Sequence, residues 1–541
     1  MYYNQMFTSK RLFYVSKVTL LQLSVGLMFL VMLPIKTKAQ VKATGQVKTF
    51  LVDRIEIVGN SVFSDRELKE VADLSQVKKI SLTELFAAKE KIDRYYIDRG
   101  YVTSGALVSQ QEVIDGRVTI RVIEGKLNQI AIEEIEGLSK EYLVSQLPPV
   151  NKPLNVNDIV KSLAKLEKEP LIKNINGEVV RDSLSQNILL IEIEERNPLA
   201  ITFSFTNAYS PSIGSYGGNS KLIHNNLLGF RDRLTIESSQ TIEGGLSRFA
   251  GSYSVPFNNS DGRIRFAYNN ADSVLVEEEV EELQIEADFE SFLLEIRQPI
   301  TLNEFSKLDL GIAIENIKSE TFVLSDLSFP FTEGFEDGKI NLTVLRIFQN
   351  YRTEGDSSLF SFSTGFNVGL DVFDATKTEV GIDSLFWSFN SSLLYTKSLN
   401  KQKDALFTAS IEFQLSPDKL PPIEQITGGG FTRVRGYRSN IAVADNGIFG
   451  TIDLQLPLFR NDSFGVITLG PFLDLGTLWN NDRETTGSSF LASTGLSLQY
   501  RAIDFLELRL DYGFLLIELT GYGATETQDN LSFSVLMRRS L

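Results

Sequence analysis

The feature that most limits what this chain can fold into is the rhythm of its long C-terminal part. From Pro198 onward helical periodicity fades and apolar and polar side chains take turns. Phe407, Ala409, Ile411 and Phe413 alternate with Thr408, Ser410, Glu412 and Gln414; Leu506, Leu508, Leu510, Tyr512 and Phe514 alternate with Glu507, Arg509, Asp511 and Gly513. A period of two is the period of a β-strand. A soluble sandwich turns the apolar face inward, whereas a transmembrane barrel turns it to lipid and keeps a polar lumen. The joins between strands separate these readings. Short joins near 228–230, 257–262, 299–303, 457–462 and 501–504 alternate with long polar ones at 272–288, 319–337, 370–383, 415–445, 477–488 and 516–529. Tight turns at one end and long loops at the other are the pattern of an outer-membrane barrel, here of about sixteen strands. Pro256, Pro299 and Pro457 are read at strand ends, where no ladder donor is required. The last strand, 531–541, is expected to pair with the first and remove both edges.

The N-terminus agrees with export. Residues 1–39 hold five basic side chains (Lys10, Arg11, Lys17, Lys36, Lys38) and no acid, around an apolar run from Val18 to Ile35, and end in the small-x-small exit Thr37-Lys38-Ala39. This predicts a secretory signal peptide over 1–39. An uncleaved anchor would export the rest of the chain equally. Of 53 basic and 69 acidic residues, 48 and 69 remain after residue 39, a net charge of −21. Such an acidic body excludes a nucleic-acid footprint. With no cysteine there is neither a disulfide framework nor a thiolate metal site.

Residues 48–197 read differently, as mixed α/β. A strand at Leu51–Val58 is closed by Gly59-Asn60. A helix within Ser81–Arg99 carries Leu82, Leu85, Phe86, Ile92 and Tyr96 and stops at Gly100. Strands Tyr101–Gln110 and Arg117–Ile123 follow, with Asp115-Gly116 as their turn. The order then repeats: strand Gln129–Ile135 ended by Gly137, helices near Lys140–Gln146 and Val156–Leu166, strands Leu171–Val180 and Asn187–Glu194. We read two copies of one β-α-α-β-β module.

No catalytic or metal-binding constellation stands out. There is no HExxH, nucleophile elbow or P-loop. The single histidine, His224, reads as a strand or turn residue. The acidic run Glu277–Glu282 reads as a solvated loop rather than a cation site. The chain is expected to be neither an enzyme nor a cofactor carrier.

One stretch remains, GGGFTRVRGYRSN from Gly428 to Asn440. Its glycines Gly428, Gly429 and Gly430 permit a bend, and its arginines follow at once. The mature chain as a whole resembles the outer-membrane transporters of two-partner secretion (the TpsB type), the haemolysin secretion/activation family within the barrel-assembly superfamily. IEIVGNSVFS at Ile55–Ser64, the segments YYIDRGYVTSGALV and DGRVTIRVIEGKLNQI within Tyr95–Ile130, and LNVNDIVKSLAKLEKEP at Leu154–Pro170 resemble POTRA domains; NNLLGFRDRL at Asn225–Leu234 resembles the family's Asn-x-x-Gly turn. Val434, Arg435, Gly436 and Tyr437 are similar to the motif at the tip of the sixth surface loop, which folds back into the lumen in relatives. Phe472, Asp474 and Gly476 match the Phe-x-Asp-x-Gly strand that holds the loop arginine.

The resemblance implies that Arg435 pairs with Asp474. Parity agrees, since Phe472, Asp474 and Gly476 share one face and Leu469, Leu473 and Leu475 the other. An aspartate facing lipid would cost up to a few kcal/mol, so Asp474 is expected in the lumen. In a partly wet lumen the pair is expected to contribute about 1–3 kcal/mol, enough to bias the loop without locking it. The implied organisation is α+β: POTRA domains at 40–125 and 126–197, then an all-β antiparallel barrel at 198–541 with loop 415–445 folded inward. The implied function is a pore that takes an unfolded partner protein through its POTRA domains to the cell surface or medium; the alternative is a barrel-assembly factor or insertase. The implied partners are a secreted β-helical protein, outer-membrane lipid, and periplasmic chaperones with the barrel-assembly machinery for its own insertion.

Overall fold

The computed structural model describes residues 49–540 apart from 77–78, 109–112, 115, 134, 279, 302–304, 325–326, 332–335, 379–380, 482–488, 503–504 and 518–529. The expected signal peptide and Asp115 lie outside the described residues. The chain divides into two compact units, one ending at Gly125 and including Pro153–Asn155, the other formed by Lys126–Lys152 and Val156 onward.

The first unit is a small α+β domain. It comprises β1 (Thr49–Leu51), β2 (Arg54–Val58), helix α1 (Asp65–Val71), β3 (Lys79–Ser81), α2 (Leu82–Asp98), β4 (Gly105–Leu107), β5 (Val113–Ile114) and β6 (Arg117–Ile123). Strand β2 runs parallel to β6, and β4 and β5 pair antiparallel with it. Helix α2 begins where Ser81 and Glu84 cap one another reciprocally. It buries Leu85, Ala88, Ile92 and Tyr96, while Leu82 and Phe86 face outward at 39% and 52% exposure. The strand expected over Tyr101–Gln110 shrinks to β4, because Ser104 N–H bonds back to Tyr101 O and makes a turn of its first residues.

The second unit opens with the same plan. It has β7 (Leu127–Ile132), α3 (Lys140–Ser145), α4 (Val156–Leu166), β8 (Ile172–Arg181) and β9 (Asn187–Glu195). Strand β7 is parallel to β9, and β8 is antiparallel to it. The two copies share a device that the sequence pattern hides. A glutamate just after β6, or at the end of β9, reaches back to the loop after the module's first strand. Glu124 accepts Ser61 N–H at 2.8 Å, Val62 N–H at 2.9 Å and Tyr96 O–H at 2.8 Å. Glu195 accepts Gly137 N–H at 2.7 Å and Glu136 N–H at 3.0 Å.

The rest of this unit is a closed antiparallel barrel of sixteen strands. Its first half is β10 (Leu199–Thr206), β11 (Gly217–Asn225), β12 (Arg233–Thr241), β13 (Leu246–Pro256), β14 (Arg263–Val274), β15 (Glu286–Thr301) and β16 (Ser306–Val323). A two-residue β17 (Leu327–Ser328) lies in the next loop, followed by β18 (Lys339–Glu354), β19 (Ser358–Leu370), β20 (Trp387–Ser398) and β21 (Leu406–Leu415). The hairpin β22 (Ile426–Gly428) and β23 (Ala442–Ala444) sits inside the long loop. The barrel ends with β24 (Asn446–Asn461), β25 (Gly465–Trp479), β26 (Phe490–Arg501), β27 (Leu506–Leu515) and β28 (Leu531–Ser540).

Strands β10 and β28 zip together from Ala200–Ser540 to Thr206–Ser534. The Asn207 side chain continues the seam, donating to Leu531 O and accepting Phe533 N–H, both at 2.8 Å. Closure leaves no edge at the seam. The outward face is apolar and exposed, with Phe203, Phe249, Phe266, Phe292, Ile312, Ile347, Ile411, Leu498, Leu510 and Phe514 turned away from the lumen. Two details differ from the sequence reading. Pro299 lies inside β15, and Pro457 sits at a break of register within β24, where a bulge removes the need for its missing N–H. Several strands outrun the expected boundaries: β16 continues to Val323, and β25 to Trp479, where Leu478 packs under the long loop.

Burial pushes the Glu124 carboxyl up, but the donors from Ser61, Val62 and Tyr96 outweigh it and hold the group below its ordinary range. A depressed carboxyl stabilises the fold above its unfolded pKa and loses that contribution as pH falls through the folded value. Glu124→Gln should therefore speed amide hydrogen exchange at Ser61 and Val62 near neutral pH. The gap from the parent chain should close as pH falls below the ordinary carboxylate range.

Candidate functional site in the barrel lumen

The long loop, residues 416–445, turns into the barrel and is held along its length. On the way in, Glu424 receives a fork from Arg346 of β18, Nη2 to Oε1 at 2.7 Å and Nη1 to Oε2 at 3.1 Å, while Arg346 Nε bonds Glu315 of β16 at 2.9 Å. Leu420 is fully buried with Ile317, Leu342, Val344 and Phe386. Deeper, the β22–β23 hairpin presses Ile426, Ala442 and Ala444 against Phe449, Leu478 and Leu491 of the wall. The part of the lumen facing this loop is therefore an apolar core as well as a wet surface.

Gly428, Gly429 and Gly430 are buried. They act through closeness rather than looseness. A methyl on Gly429 would lie 2.3 Å from Arg438 O, and one on Gly430 2.4 Å from Ser439 Oγ. Both have positive φ, 81° and 79°, so the two limbs of the loop cross tightly where a side chain would part them.

At the tip, Val434 is fully buried in the apolar cluster and Arg435 is 3% exposed. Arg435 Nε donates to Asp474 Oδ2 at 2.7 Å and Nη2 to Oδ1 at 2.8 Å, the bidentate fork of a planar guanidinium on a carboxylate. The Arg435 backbone N–H adds a third bond to Asp474 at 3.0 Å. Nη1 donates to Asp453 Oδ2 at 2.8 Å and lies 4.0 Å from Asp511. The guanidinium carbon stands 3.5 Å above the Phe472 ring. Gly436, with φ of 90°, lies flat on Gly513 of β27, where a methyl would meet Gly513 O at 3.0 Å. Tyr437 places its hydroxyl 2.6 Å from Ile517 O and accepts Ala492 N–H at 3.2 Å.

Four adjacent strands supply this clasp, Asp453 from β24, Phe472 and Asp474 from β25, Ala492 from β26 and Asp511 from β27. The pair is drier than the partly wet contact expected from sequence, because Asp474 is fully buried and Arg435 is 3% exposed. Asp453 and Asp511 were not picked out by sequence reasoning. Each occupies a lumen parity position, but only inter-strand register brings them to one arginine. Arg509 shares the load, 2.8 Å from Asp511 and stacked on Phe431 of the loop.

The remaining loop arginines also find partners. Arg433 forks onto Glu412 of β21 and donates to Thr427 O at 2.6 Å. Arg438 pairs with Glu277 and reaches Ser212 Oγ at 3.1 Å. The acidic run is thus not wholly solvated, since its first member joins the inward loop to another. Among the described residues no cluster of acids and histidine could hold a metal. His224 lies on β11 with Leu199 and Leu234 as register partners.

Residues 186–500 match the family model described as haemolysin secretion/activation protein ShlB/FhaC/HecB, and residues 50–125 match the POTRA domain, ShlB-type. The chain is 22% identical over 423 residues to the outer membrane transporter CdiB of Dickeya dadantii (strain 3937), covering 76% of this chain and 73% of that protein. It is also 22% identical over 417 residues to the heme/hemopexin transporter protein HuxB of Haemophilus influenzae (strain ATCC 51907 / DSM 11121 / KW20 / Rd), covering 74% and 70%. In fold it is similar to CdiB from Escherichia coli, with a TM-score of 0.69 at 18% identity over 97% of this chain and 99% of that one. BamA from Haemophilus ducreyi lacking POTRA domains 1–3 gives 0.56 at 14% identity over 91% and 100%.

Removing the guanidinium strands buried carboxylates. Arg435→Ala should cost about 3–5 kcal/mol, the range for breaking one side of a buried pair. Arg435→Lys should recover little, since an ammonium lacks the fork and the stacking plane. Protease cleavage within 416–445 in intact outer membranes checks both. The parent loop should resist, and both variants should be cut while the barrel stays folded and heat-modifiable.

Proposed function

The chain belongs to the haemolysin secretion/activation protein family, and from that premise we infer that it is an outer-membrane transporter of two-partner secretion. Its barrel lies in the outer membrane with the N-terminal domains in the periplasm. We read residues 40–125 and 126–197 as two POTRA domains and 198–541 as the barrel. The observation that carries the reading is a closed barrel whose inward loop is clasped by Arg435 on Asp474, behind a ShlB-type POTRA domain.

An extended client can add a strand to a sheet edge of the first domain, at β2 or β4. It then passes through the lumen beside the inward loop. A sixteen-stranded barrel is wide enough for an aqueous channel, so the loop also serves to restrict leakage. Without a P-loop in the chain, folding of the client outside supplies direction. We propose a β-helical secreted protein as that client, since such a fold grows repeat by repeat as chain emerges. Periplasmic chaperones and the barrel-assembly machinery would serve the insertion of this chain itself. The insertase alternative draws on the fold shared with BamA, but the family match over residues 186–500 and the ShlB-type POTRA domain favour the transporter.

Deleting the gene should remove one large protein from the surface or medium and leave the other outer-membrane proteins at normal abundance. Comparative proteomics of medium and envelope reads both. General depletion of barrel proteins with an unchanged medium would favour the insertase.

A further inference from the structure

The turn NNLLGFRD between β11 and β12 does more than reverse the chain. Asn226 and Asp232 close it: Asn226 Oδ1 accepts Arg231 N–H at 2.7 Å, and the Asp232 carboxylate, 1% exposed, accepts Leu228 N–H at 3.0 Å and Phe230 N–H at 3.3 Å. Arg231 itself has a φ of 59°. A left-handed backbone is uncommon for a residue with a long side chain. Here that side chain reaches Glu169 and Tyr142 of the second periplasmic domain.

There Arg231 is 9% exposed and meets three partners from two separate parts of the unit. Nε and Nη2 fork onto Glu169 at 3.3 and 3.4 Å, and Nη2 also reaches Asp261 of the β13–β14 turn at 3.2 Å. The guanidinium carbon lies 3.6 Å above the ring of Tyr142, whose hydroxyl donates to Glu169 at 3.1 Å. Burial, then the neighbouring Glu169 carboxylate, pushes the Tyr142 phenol up, so it stays a donor at any physiological pH. Asp261 is shared, since Arg263 Nε bonds it at 3.2 Å and Arg263 Nη2 bonds Arg231 O at 2.7 Å. Two weaker ties flank the cluster, Asn226 to Gly137 O and Gln146 Nε2 to Asn259 O at 3.0 Å.

We propose that Arg231 is a positioning residue for transport: it clamps the second periplasmic domain onto two turns of the barrel rim and so fixes where client leaves the domains and meets the pore. The proposal rests on the transporter reading above. A planar, permanently charged group suits the task, because one fork satisfies Glu169 while its face covers Tyr142 and its free edge takes Asp261. Arg231 and Asp261 come from different rim turns, so the domain is held against rocking as well as against release.

The chain has no cysteine, so introduced pairs report cleanly. Spin labels at Lys161→Cys on α4 and Ser463→Cys on the β24–β25 turn across the rim, in the full chain in bilayers, should give one narrow distance distribution. Arg231→Ala should broaden it. The same substitution should lower secretion by about tenfold or more, the order lost when a positioning group goes. Tethering the domain in that variant, through Gln146→Cys and Asn259→Cys joined by a short bismaleimide, should restore secretion. A distribution that stays narrow in Arg231→Ala would overturn the clamp. Broadening with undiminished secretion, or lost secretion that the tether does not restore, would overturn the positioning role. If the parent chain secretes nothing, the transporter reading fails instead, and the spin-label distances still judge the clamp.

Discussion

A guanidinium and a carboxylate buried together in the middle of a barrel are the constraint around which this molecule is organised. Arg435 at 3% exposure and Asp474 at none can be tolerated only if each satisfies the other, because an ion stripped of water and partner is costly. The requirement reaches in several directions. The loop must be long enough to return, the glycines at 429, 430 and 436 must let backbones touch, and β24 to β27 must hold their register so that Asp453, Asp474 and Asp511 converge.

The clasp is one of several anchors, and together they change the picture of the loop. Arg346 grips Glu424 on the way in, Arg433 grips Glu412 beside the tip, and Arg438 reaches Glu277 beyond it. Apolar clusters fill the gaps between these pairs. The position of such a loop is set by the mutual support of these contacts. At the periplasmic rim Arg231 uses the same chemistry, a fork, a shared acid and an aromatic face. The second N-terminal domain and the long loop are both tied to the barrel by arginines with little exposure.

Much of this was legible in the residues. Alternation, together with the rhythm of short and long joins, separated lumen from lipid along β21 and β27, and the resemblance of VRGY and FLDLG to the family's motifs tied a loop tip to a wall strand. What stayed hidden depends on register between distant strands. Nothing in TIDLQ or LDYG says that Asp453 and Asp511 stand beside Arg435 rather than elsewhere on the lumen wall. Strand ends were blurred for a related reason. Leu478 and Phe449 face inward yet are apolar, because the loop covers them, so a rule that makes the lumen polar ends β25 too early. Arg231 was in plain sight within a turn motif, but its left-handed backbone and its aim toward Glu169 have no signature in the sequence.

The central claim is that cargo crosses through the wet interior of a barrel that stays shut at its seam. Site-specific photocrosslinking of a stalled client tests this most directly. A benzophenone at Asn269 faces the lumen, and one at Phe266 or Phe203 faces lipid, the last beside the β10–β28 seam. The account predicts crosslinks to client from Asn269 and none from Phe266 or Phe203. Client captured at Phe203 and absent at Asn269 would mean that the barrel works through an opened wall, and would contradict it.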